Sequence, residues 1–145
     1  MFKHILLPTD GSERSEAAIQ KGIQFAKSIN AKVTGFHVLL PFHVFTFQTE
    51  MLEDTKEQFE RDSKAHAERS LDVITKAAEA AGVRCETDYV LASHPYDAII
   101  KAAEEKGCDL ILMASHGRRG VQGLLIGSET QKVLTHTKTP VLVVR

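Results

Sequence analysis

The sequence predicts an α/β fold, a single open parallel sheet of five strands with helices on both faces. Short apolar runs alternate with longer segments of helical periodicity along all 145 residues, a pattern typical of parallel sheets with right-handed crossovers. Several of the apolar runs carry no alternating polar face, as expected of strands that are buried on both sides. The helical segments end at Asn30, Gly82 and Gly107, residues that favour the end of a helix.

The first half of the chain predicts two strands and two helices, in the order 5–7, 13–30, 32–40 and 51–81. Asp10 or Ser12 is the predicted cap of the first helix. Glu13 stands three residues after Asp10, which is the spacing of a capping box. The connection 41–49 contains three of the seven phenylalanines, which either fold back as core or form a lid or a partner patch.

The second half repeats the alternation, with elements predicted at 83–91, 93–107, 109–114, 127–137 and 141–144. Ser93 is the predicted cap of the third helix, with Pro95 in its first turn. The strand at 109–114 is apolar without alternation, so we expect it at the centre of the sheet. A chain of this length without linkers or repeats predicts one domain, 1–145.

Composition and charge exclude several classes of protein. Hydrophobic residues make up 43% and charged residues 26%, which argues against disorder. Lys and Arg number 18 against 19 Asp and Glu, so the basic excess typical of a nucleic-acid binder is missing. No apolar run reaches the roughly 20 residues that a membrane helix needs, and no signal-peptide pattern follows Met1. We therefore expect a cytoplasmic protein with two reduced cysteines and neither nucleic acid nor membrane as a partner.

The strand ends locate the candidate site, because ligands of open parallel sheets bind beyond the carboxyl ends of the strands. Three segments qualify: the turn 8–12, the end of the second strand at 37–38, and the loop 114–126 with the helix start that follows it. Glycines in that loop let backbone N–H groups approach an anion, and the helix start adds further N–H donors. Hydroxyls of Ser128 and Thr130 and the charge of Arg118 or Arg119 favour phosphate binding. The alternative is a solvated loop whose glycines only turn the chain.

Three motifs, in this order along the chain, are similar to those of the universal stress protein family. They are Ile-Leu-Leu-Pro-Thr-Asp-Gly-Ser at 5–12, Ser-His-Gly-Arg-Arg-Gly at 115–120, and Gly-Ser at 127–128 with the ending Pro-Val-Leu-Val-Val at 140–144. The resemblance extends over essentially the whole chain. It implies a Rossmann-like sheet of strand order 3-2-1-4-5 and a small cytoplasmic homodimer that acts in survival of stress.

One branch of that family binds ATP through the pattern G-x-x-G-(nine residues)-G-[ST], which the chain matches at Gly117, Gly127 and Ser128. The first glycine of the pattern falls on Ala114. If the backbone there needs a positive φ, alanine costs roughly 1 kcal/mol or more; if only close approach matters, a methyl group is tolerated. The resemblance implies adenosine contacts from Pro8, Thr9, Asp10 and the backbone of Val38, ribose and phosphate contacts from Met113, Ala114 and Gly117, and contacts to the phosphate tail from Gly127, Ser128 and Thr130.

Asp10 has two interpretations, since an aspartate at a strand end either meets the ribose, the base or a phosphate-bound Mg²⁺, or caps the next helix. The seven histidines show no metal-binding spacing, and no hydroxyl has an evident activating base, so we predict no catalytic and no metal-ligating residue. The favoured hypothesis is a regulatory protein that binds ATP, with Mg²⁺ carried by the phosphates. A nucleotide-free interaction module and a slow Mg²⁺-dependent ATPase or autophosphorylating enzyme remain as alternatives.

The apolar ending Val141–Val144 predicts a homodimer. An uncovered apolar strand at the edge of a sheet is a hazard, and pairing with a second copy removes it. The resemblance supports this, because dimers in the family commonly pair through the final strand. The alternative is that Arg145 and a neighbouring loop protect the edge.

Overall fold

The computed structural model describes residues 1–42, 52–116 and 126–145, in which strands and helices alternate. The strands are β1 (His4–Pro8), β2 (Lys32–Leu39), β3 (Cys85–Leu91), β4 (Leu110–Ala114) and β5 (Val141–Val144). The helices are α1 (Glu13–Ile29), α2 (Leu52–Ala81), α3 (Pro95–Glu105) and α4 (Ser128–His136). None of these helices is both long and apolar enough to span a membrane. The predicted alternation of strands and helices is confirmed.

The five strands form one parallel sheet in the order β3-β2-β1-β4-β5. This confirms the predicted fold class and strand order. β1 lies at the centre, pairing with β2 from His4↔Lys32 to Pro8↔Phe36 on one side and with β4 at Ile5↔Leu110 on the other. Because β1 and β4 are neighbours that are distant in sequence, the winding of the chain reverses between them.

Two cores cover the two faces of the sheet. Alternate side chains of the central strands join α1 and α2 on one face, in a cluster that includes Ile5, Leu7, Val33, Ile19, Ile23 and Ile74. The intervening side chains join α3 and α4 on the other face, in a cluster that includes Leu6, Phe36, Ile111, Ala98, Ile99 and Val133. Burial on both faces explains why β1 and β4 are apolar without alternation.

α2 packs closely against the sheet at Gly35. A Cβ atom at Gly35 would lie 2.8 Å from Cδ1 of Ile74, so a larger residue would push the helix away from β2. Ile74 itself is completely buried. This contact fixes the distance between α2 and β2, and with it the position of α2 residues two turns nearer the amino end of the helix.

The helix caps agree only in part with the predictions. α1 is capped by Ser12, whose Oγ accepts a hydrogen bond from the N–H of Ser15 at 3.2 Å. The predicted cap of α3, Ser93, is wrong. Because Pro95 occupies the first helical position, the capping position falls on His94, which makes no side-chain capping bond.

Two predicted loops lie largely outside the described residues. Phe45 and Phe47 of the connection 41–49 are among the residues not described, whereas the ring of Phe42 contacts that of Phe59 in α2, with ring centroids 5.2 Å apart. The prediction for the three phenylalanines is therefore tested only at Phe42. The glycine- and arginine-rich loop lies outside the described residues at 117–125. The predictions for Gly117, Arg118 and Arg119 fall in this range and stay predictions.

Candidate functional site

The candidate site is the crevice between the carboxyl ends of β1 and β4. β1 continues into α1 on one face of the sheet, and β4 leads towards α4 on the other. Where neighbouring strands send their chains to opposite faces, an opening remains at the edge of the sheet. Its described walls are the β1–α1 turn (residues 8–12), the end of β4 (residues 113–116) and the start of α4 (residues 126–130).

The β1–α1 turn is held tightly against β2. The N–H of Thr9 donates to the carbonyl of Phe36 at 2.9 Å, and the N–H of Gly11 donates to Oγ1 of Thr9 at 3.1 Å. Gly11 has a φ of +80°, and a Cβ atom there would lie 2.6 Å from the ring of His66. Both the backbone conformation and the lack of space therefore require glycine at this position.

The carboxylate of Asp10 is bonded to the start of α1. Its Oδ1 accepts the N–H of Ser12 at 2.9 Å and the hydroxyl of Ser15 at 2.7 Å. A carboxylate at this position also interacts favourably with the positive end of the helix dipole. Asp10 therefore has a structural role at the start of α1, but the cap itself is Ser12, so the prediction of Asp10 as the cap is wrong. Contact with a ribose, a base or Mg²⁺ stays a prediction.

Ala114 adopts ordinary extended backbone at the end of β4, where it pairs with Val144. Among the described residues, Asn30 is the only non-glycine residue with a positive φ. Alanine is therefore not strained at position 114. Of the two reasons considered for a glycine in the ATP-binding pattern at this position, only close approach of a ligand is left. The preceding Met113 directs its side chain into the core beside Phe36 and is 7% exposed.

The start of α4 packs against the end of β4 and has no side-chain cap among the described residues. The N–H of Gly127 donates to the carbonyl of Ser115 at 2.6 Å. A Cβ atom at Gly127 would lie 3.2 Å from that oxygen and 3.3 Å from Cα of His116. The φ of Gly127 is −71°, so glycine is needed here for close approach and not for its conformation. No side chain of the described residues caps this helix, whose first N–H groups have no acceptor within the helix.

The two predicted hydroxyl ligands differ in their surroundings. Ser128 is exposed at the first position of α4. Thr130 is buried, and its Oγ1 donates to the carbonyl of Ala114 at 2.9 Å. Because that hydrogen is already used, Thr130 offers a ligand its backbone N–H, whereas Ser128 offers both N–H and hydroxyl.

The resemblance implies a contact between the backbone of Val38 and the base, and the structure shows which way this backbone faces. β1 ends at Pro8, opposite Phe36, and the carbonyl of Phe36 already bonds to Thr9. Backbone groups two residues apart on a strand face the same side, so the N–H and C=O of Val38 face the space beyond the end of β1. Pro8, Thr9 and Val38 thus lie together at one side of the crevice.

Cationic side chains border the crevice. A cavity of about 310 Å³ lies between the first turn of α1 and the ends of β4 and β5, and its lining includes Arg14, His116 and Arg145. The guanidinium groups of the two arginines favour a negatively charged ligand. In the described ranges 1–42, 52–116 and 126–145, no group of three or more His, Cys, Asp or Glu is placed to hold a metal ion.

Two histidines contact the turn, and the sequence pattern singled out neither of them, although His37 belongs to the candidate segment 37–38. Nδ1 of His37 lies 2.9 Å from the carbonyl oxygen of Thr9, and Nε2 of His66 lies 3.1 Å from that of Asp10. The position of His37 at a strand end was a usable signal. His66 carries none, because it lies 56 residues from Asp10 along the chain in the middle of a polar helix.

Fold and site together define an open α/β protein whose central crevice ends at a helix start that no described side chain caps. The model of the universal stress protein family matches residues 1–145. The chain belongs to that family, as its motifs predict.

Relatives from one archaeon illustrate the similarity. Universal stress protein MJ0531 of Methanocaldococcus jannaschii is 33% identical over 145 residues, covering 100% of this chain and 83% of that protein. MJ0577 of the same organism is 32% identical over 157 residues, covering 100% and 96%. A solved structure of MJ0577 superimposes with a TM-score of 0.86 at 30% identity, over 99% of this chain and 96% of that one. A universal stress protein solved in complex with cAMP gives a TM-score of 0.70 at 26% identity, over 99% and 97%.

Proposed function

We propose that this protein binds an adenine nucleotide, with ATP as the expected ligand, in the crevice between β1 and β4 and acts as a regulatory factor in the stress response. The observation that carries the proposal is the start of α4. There the absence of a side chain at Gly127 lets its backbone pack against that of Ser115 and His116, since a Cβ atom would lie 3.2 Å from the carbonyl oxygen of Ser115. This contact holds the start of α4 against the end of β4. The uncapped first turn of α4 offers N–H groups to an anion at this end of the crevice.

The shape of the crevice suits an elongated ligand with one charged end. The backbone of Val38 and the buried Thr9 suit the adenosine end, and the first turn of α4 suits the phosphate tail. The guanidinium of Arg14 adds positive charge near the phosphates. Magnesium takes one or two carboxylates at most beside nucleotide phosphates, so an ion carried by the phosphates fits a site in which the carboxylate of Asp10 is bonded to Ser12 and Ser15.

A relative supports the class of ligand. The universal stress protein solved with cAMP is 26% identical to this chain over 99% of its length. An adenine nucleotide is therefore accommodated by a protein of this fold and family. The choice of ATP over other adenine nucleotides rests on the match of Gly117, Gly127 and Ser128 to the ATP-binding pattern.

The test is calorimetric titration of nucleotide-stripped protein with Mg-ATP, after identification of any nucleotide released on denaturation. We expect saturable binding in the micromolar range. Gly127→Val should weaken it by about tenfold or more, because the added side chain meets the backbone of Ser115 and His116 and displaces the start of α4 from the crevice. Ala80→Val, a similar enlargement on the exposed face of α2, is the control. A folded wild-type protein that carries no nucleotide and gives no heat would contradict the proposal and favour the interaction module.

The same protein preparation addresses turnover. The enzyme hypothesis predicts Mg²⁺-dependent ATP hydrolysis that is lost in Ser128→Ala. In the mechanism proposed, binding energy is coupled to conformation, so we expect only slow hydrolysis. A cytoplasmic location and one domain over 1–145 complete the proposal.

We further propose a homodimer that pairs through β5. β5 lies at the edge of the sheet with β4 as its neighbour, and Leu142 is 38% exposed. Leu142→Lys should convert the dimer to monomer, because an edge lysine opposes pairing between strands. Leu134→Lys on α4, where the leucine is 40% exposed, is the matched control. Analytical ultracentrifugation decides the question, and a wild-type monomer at all concentrations would contradict the proposal.

A further inference from the structure

Two histidines from different elements bind consecutive carbonyl groups of the β1–α1 turn. His37 in β2 reaches the carbonyl oxygen of Thr9 with Nδ1 at 2.9 Å, and His66 in α2 reaches that of Asp10 with Nε2 at 3.1 Å. A carbonyl oxygen only accepts hydrogen bonds, so both ring nitrogens carry the proton and donate. The two bonds connect β2, α2 and the turn at one point.

The two peptide groups are held at both ends. The carbonyl of Asp10 is bonded to His66, while the N–H of the same peptide group, that of Gly11, donates to Oγ1 of Thr9 at 3.1 Å. The carbonyl of Thr9 is bonded to His37, and the N–H on that peptide group, that of Asp10, lies 3.5 Å from Oγ of Ser15. A peptide group is planar, so fixing both ends fixes its orientation.

The rings are themselves held by packing. Their centroids are 5.5 Å apart with an interplanar angle of 71°, and His37 is 5% exposed. The ring of His66 fills the space next to Gly11, where a Cβ atom would lie 2.6 Å from Nε2. Ser70, one turn further along α2, closes the same space, with its Oγ 2.7 Å from that Cβ position. A side chain packed on this many sides keeps its donor aimed at one acceptor.

We propose that His37 and His66 are positioning residues of the nucleotide site, which hold the backbone of Thr9 and Asp10 in the conformation that receives the ligand. This inference rests on the proposed function. It also makes α2 part of the site: nucleotide affinity depends on how α2 lies against the sheet, although α2 contributes no predicted ligand contact. Occupancy of the crevice is thereby coupled to the position of a long surface helix.

Matched substitutions separate the hydrogen bond from the ring. His66→Phe keeps the ring and removes the donor, while His66→Gln offers an N–H at the same distance along the side chain as Nε2. His37→Phe and His37→Asn form the corresponding pair for Nδ1. His136→Phe is the control, since its Nδ1 bonds to the carbonyl of Lys132 in its own helix. Binding is measured by calorimetry with Mg-ATP at a temperature where every variant is shown to be folded.

We expect each phenylalanine variant to raise the Kd for ATP by about two- to tenfold, the worth of one hydrogen bond. The glutamine and asparagine variants should restore the Kd, and His136→Phe should leave it unchanged. A merely structural role would lower the melting temperature and leave the Kd of the folded protein unchanged. Wild-type affinity in both phenylalanine variants would overturn the inference.

Amide hydrogen exchange separates the proposal that His37 and His66 position the turn from the proposal that the crevice binds a nucleotide. The N–H groups of Gly11 and Ser12 bond to Thr9 and Asp10 within the turn, so their protection reports the turn without any ligand. Protection should fall in His66→Phe and recover in His66→Gln. If the wild-type protein binds no nucleotide, the proposed function fails, and unchanged exchange in His66→Phe would then refute the positioning of the turn on its own terms.

Discussion

Gly11 and Gly82 share a left-handed backbone but differ in what surrounds them. Gly11 has a φ of +80° and Gly82 of +73°; a Cβ atom would meet His66 at 2.6 Å in the first case and nothing within 4 Å in the second. Alanine at either position would lower the free energy of unfolding by roughly 1 kcal/mol, because the left-handed conformation is unfavourable for a residue with a Cβ atom. At Gly11 it also displaces a ring that is bonded to the carbonyl of Asp10.

We therefore expect Gly82→Ala to lower the free energy of unfolding by about 1 kcal/mol and Gly11→Ala to lower it by at least about 2 kcal/mol. Chemical denaturation of the two variants measures the difference. Equal losses would show that the contact between Gly11 and His66 has no energetic consequence, contrary to the close packing described for the turn.

Ala114 is the residue at which the chain departs from the ATP-binding pattern. Its extended backbone gives glycine no conformational advantage, and glycine within a strand is less stable than alanine by roughly 0.5–1 kcal/mol. Ala114→Gly should lower the free energy of unfolding by that amount and leave the Kd for ATP nearly unchanged. An increase in affinity of about tenfold, or 1.4 kcal/mol, would show instead that the methyl group obstructs the ligand.

At the scale of elements, α3 and α4 are joined by one carboxylate. Oε2 of Glu129, the second residue of α4, accepts the N–H of Tyr96 in the first turn of α3 at 3.0 Å. α3 has no capping side chain of its own, so Glu129 supplies the cap from a neighbouring helix. The bond also turns the negative charge of Glu129 towards α3.

Glu129→Ala should lower the free energy of unfolding by about 1–2 kcal/mol, the usual cost of a lost helix cap. Glu104→Ala, an exposed glutamate of α3, should change it by less than about 0.5 kcal/mol. Denaturant titrations of both variants provide the comparison. An effect of Glu129→Ala no larger than that of the control would contradict the capping role.

At the scale of the whole molecule, the two ends of the sheet have different roles. The carboxyl end carries the crevice, whereas the amino end is closed by His4 and Asp109. The ring of His4 is 5% exposed and bonds through Nε2 to Oγ1 of Thr34 at 2.7 Å. The carboxylate of Asp109 accepts the N–H of His4 at 3.0 Å. Burial, and next the charge of Lys32, lower the pKa of His4 below its ordinary value of 6.5.

The consequence is a dependence of stability on pH. Because the pKa of His4 is lower in the folded state, the unfolded state binds more protons as the pH falls below 6.5. The free energy of unfolding should therefore decrease as the pH falls from 6.5 to the folded pKa, and His4 should cause no further decrease below it. His4→Gln should reduce this slope, while His136→Gln on the surface should reduce it less. The Kd for ATP should be unaffected by His4→Gln, and a change would contradict the separation of the two ends.

The fold was largely predictable from the sequence because burial on both faces makes 5–7 of β1 and all of β4 apolar, and helices on the surface keep their periodicity. The site was predictable as segments, since strand ends and glycines mark it. Its internal contacts were not. His66, which lies in a helix and is 56 residues from Asp10 along the chain, bonds to the carbonyl of Asp10. The hydroxyl of Thr130 donates to the carbonyl of Ala114. Such contacts depend on how helices lie on the sheet, which local patterns do not encode.

The central claim is that an adenine nucleotide occupies the crevice between β1 and β4. Hydrogen exchange measured by mass spectrometry, with and without saturating Mg-ATP, tests it most directly. We predict slower exchange in peptides that cover residues 8–12, 113–116 and 127–130, with no change in β3 at the far edge of the sheet. Binding that protects β3 and leaves those three segments unchanged would contradict the central claim.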